Sequence, residues 1–188
     1  GLGDVYKRQE ISELIERVQQ WDRKTDATSL GAGTYLILYH QLYPFYNALP
    51  VPKIIPTSVL VKAFKNAKAH MLKHFGTINV SLGDYQKLVR GDKELPVYGI
   101  NDVVTAMSSV PHKDGKVKVT AGESYIELVK FTPEGPEIES VISYGSSDHP
   151  DSPHYNDQME MYTSYKTKKM TFDKAKIYAN AKRIYHPK

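Results

Sequence analysis

The sequence of 188 residues contains no cysteine. A disulfide framework and a thiolate metal site are therefore both excluded, and redox chemistry says nothing about compartment. No run of about 18 apolar residues occurs, the length a spanning helix needs, so no transmembrane segment is read. Repeats and low-complexity tracts are also missing. There is one tryptophan, and the sequence begins with Gly1 rather than Met. Charge of one sign is not in large excess. Twenty-five basic side chains face 21 acidic ones, giving +4, and the two signs are interspersed rather than gathered into a stripe. Scattered basic charge with no nucleic-acid module pattern argues against a nucleic-acid partner.

What is present suits a globular chain. Apolar residues make up 40% and charged residues 24%, and the length is enough for one domain with a real core. Fourteen tyrosines are many, and suggest amphipathic packing or a ligand-facing surface. Residues 1–9 do not lead into the helical pattern that begins at residue 10. They read as a non-native scar, which would make the chain a fragment whose natural start is lost.

From residue 10 the pattern is helical. Ile11, Leu14, Ile15 and Val18 share one face of a helix over 10–20. Trp21-Asp22 and a polar turn come next. Ser29 caps a second helix over 30–48, apolar nearly all round and hence buried, which Pro44 should kink or end. Pro50, Pro52 and Pro56 make an extended linker. Thr57 or Ser58 caps a third helix to Phe75, with Leu60, Val61, Phe64, Met71, Leu72 and Phe75 as its stripe and Gly76 as its stop. Lys62, Lys65, Lys68 and Lys73 read as its solvated face. Gly83 to Gly91 reads as a short extended segment with tight turns at its glycines.

The second half reads as strands. Asp114-Gly115 is a hairpin-type turn, and Val117, Val119 and Ala121 alternate with polar residues as a half-buried strand. Ser124 to Phe131 is apolar on both faces, so a central strand is expected. Thr132 to Pro136 turns the chain, and Ile138 to Tyr144 returns antiparallel. A turn-rich stretch, Tyr144 to Gln158, comes after it. There Ser152-Pro153 reads as a helix start, and Tyr155, Met159 and Tyr162 share one face. Asp173 caps a last helix, with Lys182 and Arg183 in its final turn. The basic residues from Lys166 onward read as a solvated terminus.

Three sets of residues invite a chemical reading. Ser152, His154 and Asp157 are triad residue types, but a triad is defined by geometry. The better reading is a loop lock, with His154 and Asp157 satisfying backbone groups. His70 and His74, four apart, have a zinc-compatible spacing without a third ligand, and read as helix-surface histidines. Arg90-Gly91-Asp92 spells an adhesion tripeptide too short to carry information.

Two blocks point further. Gly145-Ser146-Ser147-Asp148, then Pro150, Ser152-Pro153-His154-Tyr155 and Asp157-Gln158, form one. Gly83-Asp84-Tyr85-Gln86, Arg90-Gly91 and Leu95-Pro96-Val97-Tyr98-Gly99 form the other. In this order, after a helix, Trp21-Asp22, a turn and a buried helix, they resemble the last part of the penicillin acylase family. The likeness is to its acyl-homoserine-lactone and aculeacin-type members, and covers residues 10–188, most strongly 83–99 and 122–162.

The resemblance implies an α+β chain, the C-terminal portion of a β chain in a four-layer αββα N-terminal-nucleophile hydrolase. It also implies a hydrolase acting on linear amides, with a small acyl-amide substrate such as an acyl-homoserine lactone, lipopeptide or β-lactam amide. Quorum quenching or antibiotic metabolism would be its setting, and a periplasmic or secreted location is implied with it. The partners implied are the upstream β-chain segment and the α chain of the same precursor. In that family a Ser at a new N-terminus attacks the amide, its own α-amino group takes the proton, and an Asn helps form the oxyanion hole. None of these residues, nor the family's calcium ligands, has a counterpart in this sequence. No catalytic residue, metal ligand or cofactor is therefore assigned to it. The competing expectation from the residues alone is a basic, Tyr-rich module binding a polyanion without catalysis.

Overall fold

The amphipathic stripe at residue 11 starts the fold. Ile11 and Leu14 are fully buried, and Ile15 and Val18 pack against the same core from α1 (Ser12–Gln20). Burying such a side chain contributes roughly 1.5–3 kcal/mol. In this computed structural model, residues 10–49 and 54–185 are described. They divide into two compact units, one up to Glu123 and one from Ser124 onward. Residues 1–9, which the sequence pattern sets apart from the rest, and Pro50 and Pro52 of the linker lie outside the described residues.

In the first unit, α2 (Leu30–Ala48) begins at Ser29, whose hydroxyl accepts from the Ala32 amide at 3.1 Å. Only its first half is buried. Tyr43, Phe45 and Tyr46 are exposed, so the helix is not apolar-packed all round. Nor does Pro44 end it. Pro44 withholds an N–H from the His40 carbonyl, yet the helix continues through it to Ala48.

Next comes α3 (Thr57–Phe75). Pro56, extended at φ −60° and ψ 141°, is its N-cap, and no side chain caps it, which corrects the reading of Thr57 or Ser58 there. Gly76 ends it in the left-handed conformation, donating to the Leu72 carbonyl. Ala63, Phe64, Ala67 and Met71 form its buried seam, whereas Leu72 is exposed. The two alanines let α3 approach α2 closely. Lys65 and Lys68 are half-buried rather than solvated, reaching the Glu10 carboxylate and carbonyl, each at 2.6 Å.

The block from Gly83 is extended, as expected, only from Gln86 onward. Ser81 and Asp84 close a capping box around one helical turn, α4 (Leu82–Tyr85). Then β1 (Gln86–Arg90) turns through Gly91-Asp92 into β2 (Lys93–Pro96) as an antiparallel hairpin. Farther on, β3 (Met107–Pro111) pairs antiparallel with β4 (Val117–Gly122) across a 3₁₀ turn, Lys113–Gly115, where Asp114 and Gly115 both have positive φ. β4 lies parallel to β1, giving the sheet order β2-β1-β4-β3. Val117 and Val119 are buried, but Ala121 is exposed, so the alternation stops early.

The second unit is a three-stranded antiparallel sheet in the order β5-β6-β7. Its strands are β5 (Tyr125–Thr132), β6 (Gly135–Ile142) and β7 (Lys168–Met170). The 125–142 hairpin forms as its short turn requires. But β5 is the edge, not the centre. Phe131 is 85% exposed, and Tyr125, Leu128 and Val129 are exposed as well. The centre is β6, because β7 adds to its other side. Between β6 and β7, α5 (Met159–Thr163) lies against β6 with Met159 and Tyr162 buried. The last helix, α6 (Lys174–Asn180), is capped by Asp173, whose carboxylate accepts from the Ala175 and Lys176 amides. It stops before Lys182 and Arg183, which therefore do not sit in its final turn.

One contact fixes the first unit. A Cβ on Gly33 would lie 2.3 Å from the Val80 carbonyl oxygen, which is backbone and cannot step aside. The atoms nearest a Cβ on Gly31 would be those of the Trp21 side chain, from 2.5 Å. Gly33→Ala should therefore cost about 3 kcal/mol or more, and Gly31→Ala less. Urea unfolding followed by circular dichroism measures both. Equal midpoints for Gly33→Ala and the parent chain would refute the contact.

Candidate functional site

Two half-buried histidines and a buried tyrosine meet beside a cleft of about 400 Å³ in the first unit. α2 presents His40, α3 presents His70, and α4 ends on Tyr85. Val110, Pro111 and the turn at Gly115 close the opposite wall. The His40 Nδ1 lies 2.9 Å from the Tyr85 hydroxyl. The His70 Nε2 is 2.7 Å from the Gly115 carbonyl. A carbonyl only accepts, so His70 carries its proton on Nε2. The His70 ring also packs edge-on against Tyr85, with centroids 5.8 Å apart, and against His74 at 4.7 Å. His70 is thus an interior tie rather than a helix-surface residue.

Burial sets the charge of this cluster. It is the main cause that lowers the His40 imidazole from 6.5 to about 4, and His70 adds to it. It lowers His70 too, although the Gly115 bond opposes the shift. Burial alone drives the Tyr85 phenol well above its ordinary value. At neutral pH the pair is an uncharged imidazole against an uncharged phenol. It can exchange donor and acceptor roles but supplies no fixed charge.

A cationic clasp stands at the hairpin end of the same cleft. Glu94 of β2 receives Lys116 at 3.0 Å and Lys113 at 3.1 Å, and the His112 Nε2 lies 3.4 Å away. Burial by itself would raise the Glu94 carboxyl. The hydrogen bonds from Lys116 and Lys113 outweigh it and hold the group at about 2.

Ser152, His154 and Asp157, singled out from sequence as triad types, lie in the second unit's turn-rich loop, and the expected helix start at Ser152 is absent. Ser152 accepts the His154 amide at 3.1 Å in a local turn, and helix begins only at Met159. His154 and Asp157 do come together, Nδ1 to Oδ2 at 2.8 Å, on an exposed surface. The lock itself is made by backbone. Ser147 donates to the His154 carbonyl and Gln158 to the Tyr144 carbonyl. A Cβ on Gly145 would stand 2.1 Å from that His154 oxygen. Gln158 joins in through its side chain, whose Oε1 accepts from the Ile142 amide and from Lys168. Arg90-Gly91-Asp92 is simply the β1–β2 turn.

Sequence reasoning missed His40 and Tyr85. They are 45 residues apart, and no motif joins them. The i, i+4 spacing of His70 and His74 was visible, but not that one ring turns inward. Among the described residues, no group of three or more Asp, Glu or His side chains converges as a metal site requires, and no helix is long and apolar enough to cross a membrane.

The His40 shift has a signed consequence. Its folded value, about 4, lies below its ordinary 6.5. The unfolded chain therefore takes the proton first as pH falls. Stability from keeping His40 neutral is complete above pH ~6.5. It is lost progressively toward pH ~4, by about 3 kcal/mol in all. His40→Gln keeps a partner for Tyr85 without titrating, and should flatten this acid-side loss by close to one proton. Urea unfolding of both proteins across this range reads the slopes. Parallel pH profiles would refute the assignment.

Comparison with known proteins shows the family. A model of the penicillin amidase family matches residues 2–179. An acyl-homoserine lactone acylase, PvdQ, from Pseudomonas savastanoi pv. phaseolicola is 31% identical over 95% of this chain and 25% of its own length. The aculeacin-A acylase of Actinoplanes utahensis is 26% identical over 56% of this chain and 14% of its own. A solved thermostable penicillin G acylase from Alcaligenes faecalis aligns over 84% of this chain and 30% of its own, at 20% identity and a TM-score of 0.33. The chain thus spans about a quarter of the length of the curated acylase it matches along most of its sequence. With the family model covering nearly all of it, the chain belongs to the penicillin amidase family.

Proposed function

We propose that this chain is the C-terminal portion of the β chain of an acylase, an amide hydrolase that separates an acyl group from an amine. The observation that carries the reading is the family match over residues 2–179, supported by 31% identity to an acyl-homoserine lactone acylase along 95% of the chain. The amides under this reading are acyl-homoserine lactones first, with lipopeptides of the aculeacin type and β-lactam amides next. The location is periplasmic or secreted.

The chemistry is acyl transfer to a Ser at a processed N-terminus. The Ser oxygen attacks the amide carbonyl, and the α-amino group of that same residue, with a pKa near ~8, takes the hydroxyl proton. That proton then goes to the leaving amine as the C–N bond breaks. Water adds to the acyl-enzyme ester, and departure of the carboxylic acid restores the Ser. Every one of these groups belongs to other segments of the precursor. This chain's part is structural, and its cleft and loop residues take no step in the reaction.

The edge strand β5 supports a role inside a larger sheet. Its outer backbone groups are unpaired among the described residues, and Leu128, Val129 and Phe131 stand exposed beside them. Such an edge is an aggregation liability unless something covers it. Under this reading the preceding β-chain segment does so, within a four-layer αββα arrangement.

The test compares the purified chain with the whole precursor after self-processing, on long-chain acyl-homoserine lactones and a chromogenic phenylacetyl amide. The processed precursor should release product, and replacing its N-terminal Ser should abolish that. The chain alone should release none. Product from the chain alone, lost on treatment with a serine-acylating reagent, would overturn the placement of the nucleophile. A processed precursor inactive on the whole panel would overturn the acylase reading.

A further inference from the structure

The first unit carries a second cleft, of about 200 Å³, under the turn after α1. Its floor is aromatic and apolar. Trp21, Tyr35 and Tyr39 form a ladder, with ring centroids 5.1 Å apart for the first pair and 6.3 Å for the second. Leu36, Ile100, Val103 and the polar Asn101 complete the lining. On the rim stand two exposed charges of opposite sign, Arg23 and Asp102. Neither has an ion-pair partner among the described residues. The Arg23 guanidinium rests 5.8 Å from the Trp21 ring centre, and Asp102 is near enough to Tyr39 to help raise its phenol pKa, though burial does more.

Both charges stand on left-handed backbone. Arg23 has φ 66° and Asp102 φ 61°, left-handed values that non-glycine residues adopt at a cost, and least readily for a long side chain such as Arg. The strain at Arg23 is held by bonds on either side. The Trp21 indole donates to the Lys24 carbonyl at 2.7 Å, and the Lys24 amide donates to the Asp22 carboxylate at 3.0 Å. Relaxing Arg23 to ordinary φ would break this turn and take the guanidinium off the rim.

We infer that this cleft binds a small zwitterion of the α-amino-acid class with an aromatic side chain. Its carboxylate meets Arg23, its ammonium meets Asp102, and its ring lies on the Tyr35–Tyr39 face. The volume fits such a ligand, being below the ~300 Å³ at which drug-sized sites begin. The opposite charges on one rim select against ligands with a single charge, since one rim group would stay unpaired. A planar side chain is favoured because an aromatic contact adds roughly 0.5–1.5 kcal/mol to simple burial.

Trp21 is the chain's single tryptophan, so its emission reports on this cleft alone. The experiment titrates the chain with phenylalanine, with phenethylamine (ammonium only) and with 3-phenylpropionate (carboxylate only). Phenylalanine should shift Trp21 emission with a Kd of about 1 mM or lower, and each single-charge analogue should bind at least about tenfold more weakly. Arg23→Asn should weaken phenylalanine and 3-phenylpropionate and leave phenethylamine unchanged. Asp102→Asn should do the reverse. Both side chains are exposed, and Asn accepts the left-handed backbone, so folding is spared. Gly at either position must reproduce the same selective loss. Equal affinity for all three compounds, no emission change by about 10 mM, or variants with no selective effect would each overturn the site.

Discussion

A stretch of backbone laid directly on a helix sets the first unit. Val80, Ser81 and Leu82 cross the start of α2 at Gly33, where no side chain could stand between them. Ser29 anchors the crossing through its hydroxyl and its carbonyl. The hydroxyl caps α2, and the carbonyl accepts from both Gly33 and Leu82. Beside it, Ala27 accepts from Gly83, and Thr25 accepts from Gly99. Residues 25–29 thus act as a frame from which the helix, the 80–83 crossing and the chain after β2 all hang. The one turn of α4 depends on this frame. It aims Tyr85 at His40 and His70, and it hands the chain to Gln86, whose buried amide donates to the Gly99 carbonyl.

The charge arrangement around the larger cleft obeys the same economy. Lys113 and Lys116 already serve Glu94 at the hairpin end. A protonated His40 facing His70 would bring further positive charge to a wall with no spare anion among its lining residues. Keeping both imidazoles neutral avoids that, and the His40 proton affinity lies low enough to do so well below neutral pH. The cluster is therefore a packing device made from polar parts. It is most stable while His40 remains uncharged.

Much of the helical part was legible in the sequence, because its signals are local. The 3.6 period at Ile11, Leu14, Ile15 and Val18, the Ser29 cap and the Gly76 stop each depend on a few neighbours, and each stands where the local pattern puts it. The strands β2, β3 and β7 were not legible. They are three to five residues long and too short or polar to show an alternating pattern, so only pairing with a distant strand makes them strands. β5 misled for the converse reason. Its two apolar faces read as a buried centre, yet among the described residues only β6 pairs with it and those faces stand exposed. Ser152 misled because a hydroxyl can cap a helix or close a local turn with the same acceptor, and here the turn two residues on took it. His40 and Tyr85 share no signal at all short of the fold.

The family blocks were legible, and the structure gives their physical content. Asp84 closes a capping box, Gln86 spans to Gly99, Gly145 admits the His154 carbonyl, and Gln158 ties the loop back to Tyr144, Ile142 and Lys168. Each is a backbone-satisfaction or close-contact device. Such devices are as demanding of residue type as catalysis is. A carbonyl at van der Waals contact tolerates only glycine, and a buried amide must have the reach of Gln to meet its partner. Much of a family's recognisable pattern can therefore be architectural, and a likeness resting on these blocks speaks first for shared architecture. The acylase reading then rests on where such an architecture is used, and its proof lies with the Ser that the rest of the precursor would present.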